Sequence, residues 1–287
     1  MLAGGLVPRD ESRRGTAMIV REITCKSILS DTGLPADYAI NCYVGCEHAC
    51  CYCYARYMKR FTGHREPWGT FVDVRTNAPK VLERQIQHKP QGSVMLSSVC
   101  DGWQPLEQKY GVSSACVEIL ARAGWHVSIL TKGARVRRLL PLLEGKSADI
   151  GVTVTAFDEK LRRATEPAAS PTAERFDVLR EAAERGLETW AFLGPFLPML
   201  TDTEENLDAL FAAAARLPLT HIHTDRVNFR SGVASSLKQM VAKHFPELDD
   251  DYLWLGSYGD EDQAYADQLE TRIAQAAERH GLAGKLR

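Results

Sequence analysis

The 287-residue chain has no apolar run near the roughly 20 residues that a membrane-spanning helix needs. It has no charge excess of either sign: 35 Lys and Arg oppose 37 Asp and Glu, a formal net charge of −2. A protein held on nucleic acid by electrostatics alone needs a basic surplus, so a nucleic-acid partner draws no support from net charge. The N-terminus, Met1-Leu-Ala-Gly-Gly-Leu-Val-Pro-Arg9, lacks a basic segment followed by a long apolar core, so it is not a convincing secretory signal. Leu6-Val-Pro-Arg9 resembles a protease site added for expression, and Met18 could be the native start; residues 1–17 are expected to be a tag or a disordered tail. Internal repeats, low-complexity segments and obvious linkers are also missing. What remains is 45% hydrophobic and 25% charged, ordinary for a globular protein of one large α/β domain or two small ones.

Disulfide-type cysteine scatter is missing too. Six of the eight cysteines fall within residues 25–53; the other two are Cys100 and Cys116. A chain of this size buries a core without staples. With no secretory signal, a reducing cytoplasm and a metal site are the better reading. The dense stretch is Cys46-Glu-His-Ala-Cys50-Cys51-Tyr-Cys53. Its core is C-x3-C-x2-C with Tyr52 before the last cysteine. Three thiolates so spaced can hold three irons of a [4Fe–4S] cube and leave the fourth open, whereas electron-transfer ferredoxins usually close all four. An open metal position is where chemistry happens. Two alternatives stand beside this reading: a zinc-stabilised binding module, with His48 or Cys42 as fourth ligand, and a simple iron–sulfur electron carrier. A rival register, Cys42-x3-Cys46-x3-Cys50, lacks the C-x2-C end. Cys51, adjacent to Cys50, is the better candidate for a packed thiol.

From residue 92 onward, strand-like and helix-like segments alternate. Strands are expected at residues 38–44, 94–99, 126–131, 149–155, 187–193 (ended by Gly194-Pro195) and 220–225. Helices are expected at residues 55–61, 112–123, 135–143, 172–185, from a Thr203 cap onward, 235–244 and 260–280. Residues 66–90 read as an insertion, with an extended segment at 70–75 and a helix near 79–87. This alternation implies right-handed crossovers and a mostly parallel sheet. About six β/α units are too few to close an eight-stranded barrel, and the cysteine loop falls at the C-terminal strand ends, where barrel chemistry sits. The expected class is α/β, a partial (β/α)6 TIM-type barrel over residues 18–245, with a helical extension over 246–287. Arg56, Lys59, Arg60 and Arg65 follow the cysteines with no acid until Glu66, a basic rim or a solvated helix face.

The cysteine spacing and its aromatic resemble the radical S-adenosylmethionine (SAM) enzymes. Asn41-Cys-Tyr-Val-Gly-Cys-Glu-His-Ala-Cys-Cys-Tyr-Cys-Tyr-Ala-Arg56 is similar to the cluster loop of the spore photoproduct lyase-related group. Cys100-Asp-Gly-Trp-Gln-Pro-Leu-Glu107, Leu130-Thr-Lys-Gly133, Thr153-Val-Thr155, Glu166-Pro167 with Arg175, and Gly194-Pro195 match in order and spacing. The resemblance implies a [4Fe–4S] cluster on Cys46, Cys50 and Cys53, with SAM chelated at the open iron. A reduced cluster then splits SAM, and a 5′-deoxyadenosyl radical abstracts hydrogen from a substrate. It implies SAM contacts at Tyr52, Ser98, Asp101, Lys132, Thr153, Thr155 and, for the methionyl carboxylate, Arg175, whose fork matches two oxygens. The lyase keeps a hydrogen-donor cysteine after its second strand. Here Ser98 occupies that position and Cys100 is displaced by about two residues, so Cys100 is the candidate donor and the dimer-splitting reaction is not carried over. Gln104 and Glu107 are either SAM or substrate contacts or turn residues, and Trp103 is a stacking platform, lid or core residue. His221 and His223, with Asp225, Arg226, Asn228 and Arg230 beyond, mark the last strand as a substrate side or, more weakly, a second metal site. A one-electron reductant such as flavodoxin or ferredoxin is implied as partner; the substrate has no sequence signature. The expected location is cytoplasmic.

Overall fold

The computed structural model describes residues 18–229, 232–250, 252 and 260–287. Residues 1–17 and Arg230 lie outside the described residues. Ten strands occur among those described: β1 (Ile19–Ile23), β2 (Leu29–Asp31), β3 (Tyr38–Ile40), β4 (Tyr43–Val44), β5 (Phe71–Arg75), β6 (Ser93–Leu96), β7 (His126–Thr131), β8 (Ala148–Val154), β9 (Glu188–Phe196) and β10 (His221–Arg226). The helices are α1 (Ala78–Gln85), α2 (Glu107–Tyr110), α3 (Val112–Arg122), α4 (Leu140–Leu143), α5 (Glu159–Thr165), α6 (Thr172–Glu184), α7 (Glu204–Ala214), α8 (Val233–His244) and α9 (Asp260–Arg279).

The main sheet has the order β10-β9-β8-β7-β6-β3-β2. Its first six members run parallel, and β2 is an antiparallel edge on β3. This is the expected partial barrel of six parallel strands, open between the β10 and β2 edges. Alternation sets its two faces. Val127 and Ile129 on β7, Ile150, Val152 and Val154 on β8, and Ala191 and Leu193 on β9 are fully buried and carry the main core. The opposite phase, with Ser128, Asp149, Trp190 and His223, faces the concave interior. Helices supply the outer layer through their apolar stripes: Phe176, Leu179 and Ala182 on α6, and Leu207, Leu210 and Phe211 on α7, are buried. Thr203 caps α7, its hydroxyl accepting from the Asn206 N–H, and Glu204 and Glu205 sit in the first turn against the positive helix end. Helix α9 packs on α7. Beyond it, Leu286 forms a parallel bridge to Ile222 and the Arg287 N–H donates to the Ile222 carbonyl at 2.9 Å, partly covering the β10 edge.

Several expectations change in detail. The first strand, expected over residues 38–44, divides: β3 stays in the main sheet while β4 joins a second sheet of order β1-β5-β4. The break lets the chain leave the main sheet just before the cysteines. Gly45 (φ +88°) completes the turn, where a Cβ would run into the Phe71 carbonyl. Residues 55–61 form a 3-10 helix, Tyr54–Phe61. The helix expected at 135–143 is a 3-10 turn, Ala134–Leu139, followed by α4, with Pro141 at its start. Strand β9 does not stop at Gly194; it continues to Phe196, which pairs with Arg226 after a register shift in β10. The segment read as an insertion supplies β5 and α1, whose Val81 and Leu82 are buried against α3.

Candidate active site

A cavity of about 460 Å³ opens at the C-terminal ends of β6–β10. Cys46, Cys50, Tyr52 and Cys53 line it from the cysteine loop; Ser98, Cys100 and Asp101 from the loop after β6; Lys132 from the end of β7; Thr153 from β8. Thr155 and Arg175 do not reach it. Cys42 is also outside, fully buried with its sulfur 3.7 Å from that of Cys116, so the rival cysteine register has no outlet to the cavity. Cys51 is buried in an apolar cluster with Leu197, Leu200 and Tyr252.

The cysteine loop is held by its backbone. The Arg56 guanidinium donates to the carbonyls of Cys50 (3.0 Å), Cys51 (2.9 Å) and Cys53 (3.0 Å). The Cys51 N–H donates to the Thr165 carbonyl at 2.9 Å, and the Glu47 N–H to Gln104 Oε1 at 2.8 Å. Gln104 is therefore a brace of the loop. Glu107 pairs with the Tyr43 hydroxyl and accepts from the Ser113 and Ser114 N–H groups, so it caps α3. Arg56 was legible in sequence only as one member of a basic run; nothing in its neighbours signals a carbonyl clamp.

All three motif thiols are unpaired with other cysteines. Burial raises the pKa of Cys46 and Cys53, and lifts Cys50 to about 12 against the opposing pull of Lys132. Such thiols are neutral when bare and become thiolates by releasing protons as a cationic group binds. At Cys53 burial dominates, and the buried Trp68 indole N–H opposes it, lowering the pKa. Among the described residues no three His, Cys, Asp or Glu side chains converge on one point, as a single zinc ion would require. Three unpaired thiols lining one cavity are a donor set that fits three corners of an iron–sulfur cube.

Asp101 is almost fully buried. It accepts from the Trp103 N–H (2.9 Å), the Thr131 hydroxyl (2.6 Å) and the Lys132 N–H (2.8 Å), and His48 faces it at 3.4 Å. Burial would raise its pKa, but His48 and these donors outweigh it and hold the carboxyl well below the usual range. Asp101 thus fixes the turn that presents Lys132. The Lys132 ammonium sits 5.6 Å from the Tyr52 ring centroid. Desolvation would lower its pKa, but Cys50 and Glu166 raise it further, so a cation faces the cysteines.

Behind this wall lies a closed polar hub. The Tyr52 hydroxyl donates to Glu166, and Arg175 makes a buried ion pair with the same carboxylate. Arg175 also donates to the Thr153 (2.8 Å) and Ser170 (2.8 Å) carbonyls. In this structure the Arg175 fork, expected to clamp a ligand carboxylate, is filled by Glu166 of this chain, at 1% exposure. The Thr155 hydroxyl donates to the Gly194 carbonyl at 2.6 Å, tying the end of β8 to β9. Burial pushes the Glu166 carboxyl up, but Arg175 and Lys132 dominate and bring it to about 2. Glu166-Pro167 and Arg175 were matched together in sequence, but that the two side chains pair with each other, nine positions apart, is seen only in the fold.

Asn41 organises the loop after β6. Its Nδ2 donates to the Ser98 hydroxyl (3.0 Å), while its Oδ1 accepts from the Val99 N–H (2.9 Å) and lies 3.7 Å from the Cys100 sulfur. Ser98 and Cys100 both line the cavity, and burial lifts the Cys100 thiol to about 12, keeping it S–H at neutral pH. Tyr54 spans the gap, its hydroxyl donating to the Ser98 carbonyl. The far wall comes from β9, β10 and the residues just after it: Trp190, Phe192, His223, Asp225, Arg226 and Asn228. Trp190 forms the floor, its indole donating to Asp149 at 2.5 Å and stacking on His221 with centroids 5.2 Å apart. His221 and His223 thus belong to an aromatic stack with no third ligand among the described residues. Trp103, 1% exposed, is a core residue and not a platform.

A family model described as the radical SAM superfamily matches residues 40–212. An uncharacterised protein of Mycobacterium tuberculosis is 29% identical over 98% of this chain and 86% of its own length. An uncharacterised protein of Methanocaldococcus jannaschii is 32% identical over 64% of this chain and 70% of its own. Among solved structures, spore photoproduct lyase with bound AdoMet and a dinucleoside spore photoproduct superposes with a TM-score of 0.68. That match covers 93% of this chain and 80% of the lyase at 18% identity, a likeness of fold.

Proposed function

The chain belongs to the radical SAM superfamily and is an enzyme, and on that premise we propose that Cys46, Cys50 and Cys53 bind a [4Fe–4S] cluster beside SAM in the β6–β10 cavity. The bound pair supplies one-electron reductive cleavage of SAM and hydrogen abstraction from a substrate. The observation that carries this reading is that three unpaired thiols, buried at Cys46 and Cys50 and half-buried at Cys53, and a cationic lysine face one cavity, with the loop behind them fixed by Arg56.

Within that reading the residues divide by task. Lys132 supplies positive charge beside the thiolates. Asp101 holds the Lys132 turn, and Thr153 offers a hydroxyl to SAM from β8. Tyr52 takes its place from Glu166, so the aromatic before Cys53 is oriented from behind. Cys100, protonated at neutral pH, is positioned to give a hydrogen atom to a substrate radical. The β9–β10 wall, with Phe192, His223 and Asp225, receives the substrate opposite the cysteine loop. Residues 18–245 act as the catalytic core and 246–287 as its extension. No described helix is long and apolar enough to cross a membrane.

Electron paramagnetic resonance of the anaerobically reconstituted, reduced protein tests the reading. A [4Fe–4S] signal that changes on adding SAM, and is lost in Cys50→Ala, is expected. A signal unmoved by saturating SAM would favour a simple electron carrier, and zinc without iron a binding module.

A further inference from the structure

We infer that the outer side of residues 54–65 is the docking surface for an acidic one-electron carrier protein that reduces the cluster, an inference that rests on the function proposed above. The segment begins at the cysteines: Cys53 is the N-cap of the 3-10 helix Tyr54–Phe61. Arg56 ties that helix to the loop through three carbonyls, so helix and loop form one body. At about 2 Å rise per residue, the far end of this helix is at most roughly 16 Å from Cys53.

Its surface is uneven in a useful way. Phe61 is 66% exposed, more than any other large hydrophobic side chain among the described residues. The Arg60 guanidinium lies 4.7 Å from its ring centroid, and Tyr57 meets it edge-on at 6.3 Å. Arg65 is exposed, and Lys59 donates to its carbonyl at 3.3 Å. No acid occurs between Glu47 and Glu66. Glu66 spends its charge locally, 2.9 Å from His64 and 3.8 Å from Arg21. An apolar centre with a cationic rim, on a chain of net charge −2, is a local feature and not a consequence of overall charge.

The cavity lining shows what this surface is not for. Only Cys53, Tyr54 and Ala55 of the segment reach the cavity; Lys59, Arg60, Phe61 and Arg65 do not. A substrate seated there would not touch the basic rim. An exposed aromatic with Arg60 beside its ring, in a segment that also carries Lys59 and Arg65, suits the small interface of a transient electron-transfer encounter. The step moves one electron from the reduced carrier to the oxidised cluster; the carrier is oxidised by one electron, and no bond forms or breaks.

The test compares two donors: photoreduced flavodoxin, an acidic carrier, and dithionite, which needs no docking surface. The Arg60→Glu/Arg65→Glu variant is expected to lower flavodoxin-driven 5′-deoxyadenosine formation at least about tenfold at low ionic strength and to weaken flavodoxin binding similarly. Its dithionite-driven rate should stay within about twofold of wild type. Phe61→Ser should weaken flavodoxin binding without changing the dithionite rate. Equal flavodoxin rates and affinities in wild type and variants would overturn the proposal, as would equal losses with both donors. Lost affinity for single-stranded DNA with flavodoxin binding intact would assign the surface to nucleic acid and also overturn it. Wild-type protein inert with dithionite would sink the proposed function, while direct flavodoxin titration would still decide the docking surface.

Discussion

The two walls of the cavity are built on opposite terms. On the cysteine side, Tyr52, Glu166 and Arg175 are buried and bonded to one another, and Asp101 is satisfied by three donors. On the β9–β10 side, Phe192 and His223 are half-buried and Asp225 and Asn228 exposed. The first wall can hold only one arrangement, because every displacement leaves a buried charge unpaired. The second can change side chains without that penalty. The difference teaches that buried polar pairing fixes the cysteine-side wall, while the β9–β10 wall, proposed above to receive the substrate, carries fewer such constraints.

The comparison breaks most severely at Glu166. Glu166→Ala leaves Arg175 buried without its counter-charge and should cost about 3–5 kcal/mol, read from the denaturation midpoint. A loss under about 1 kcal/mol would show that the hub is not fixed as described. Acid probes the same pair. The folded pKa of Glu166 is depressed to about 2 from an ordinary 4.5. Its contribution is therefore complete above about pH 4.5 and is lost as pH falls through about 2. Glu166→Gln should flatten that part of the stability profile; an unchanged slope between pH 5 and 2 would contradict the pairing.

The floor between the walls gives a smaller effect. A Cβ at Gly151 would fall against the Trp190 indole. Gly151→Ala should cost about 1–3 kcal/mol through overpacking, with a shift in tryptophan emission that reports the displaced ring. The smallest effect is expected on the open wall: His223→Ala should cost less than about 1 kcal/mol in the same denaturation assay. If it cost as much as Glu166→Ala, the contrast between the walls would disappear.

Much of this contrast was legible in the sequence, and the limits have physical causes. The six parallel strands followed from β-branched runs separated by helical stripes, and β7 matches its predicted residues 126–131. The cysteine loop, Asp101, Lys132 and Thr153 face one cavity because each stands at the C-terminal end of a strand. Strands β1 and β2 were not foreseen: they are short edge segments, partly exposed, with little apolar periodicity. The continuation of β9 through Gly194-Pro195 was hidden because both residues normally end a strand. Arg175 was singled out for its chemistry, and its pairing with Glu166 was not foreseen. A guanidinium fork seeks a carboxylate, but whether that carboxylate belongs to a ligand or to Glu166 depends on tertiary placement.

The central claim is tested most directly by reconstituting the protein anaerobically with iron and sulfide, reducing it with dithionite, adding SAM and quantifying 5′-deoxyadenosine, with Cys50→Ala as control. The account predicts release that depends on Cys50. An assembled [4Fe–4S] cluster that neither binds nor cleaves SAM would contradict it.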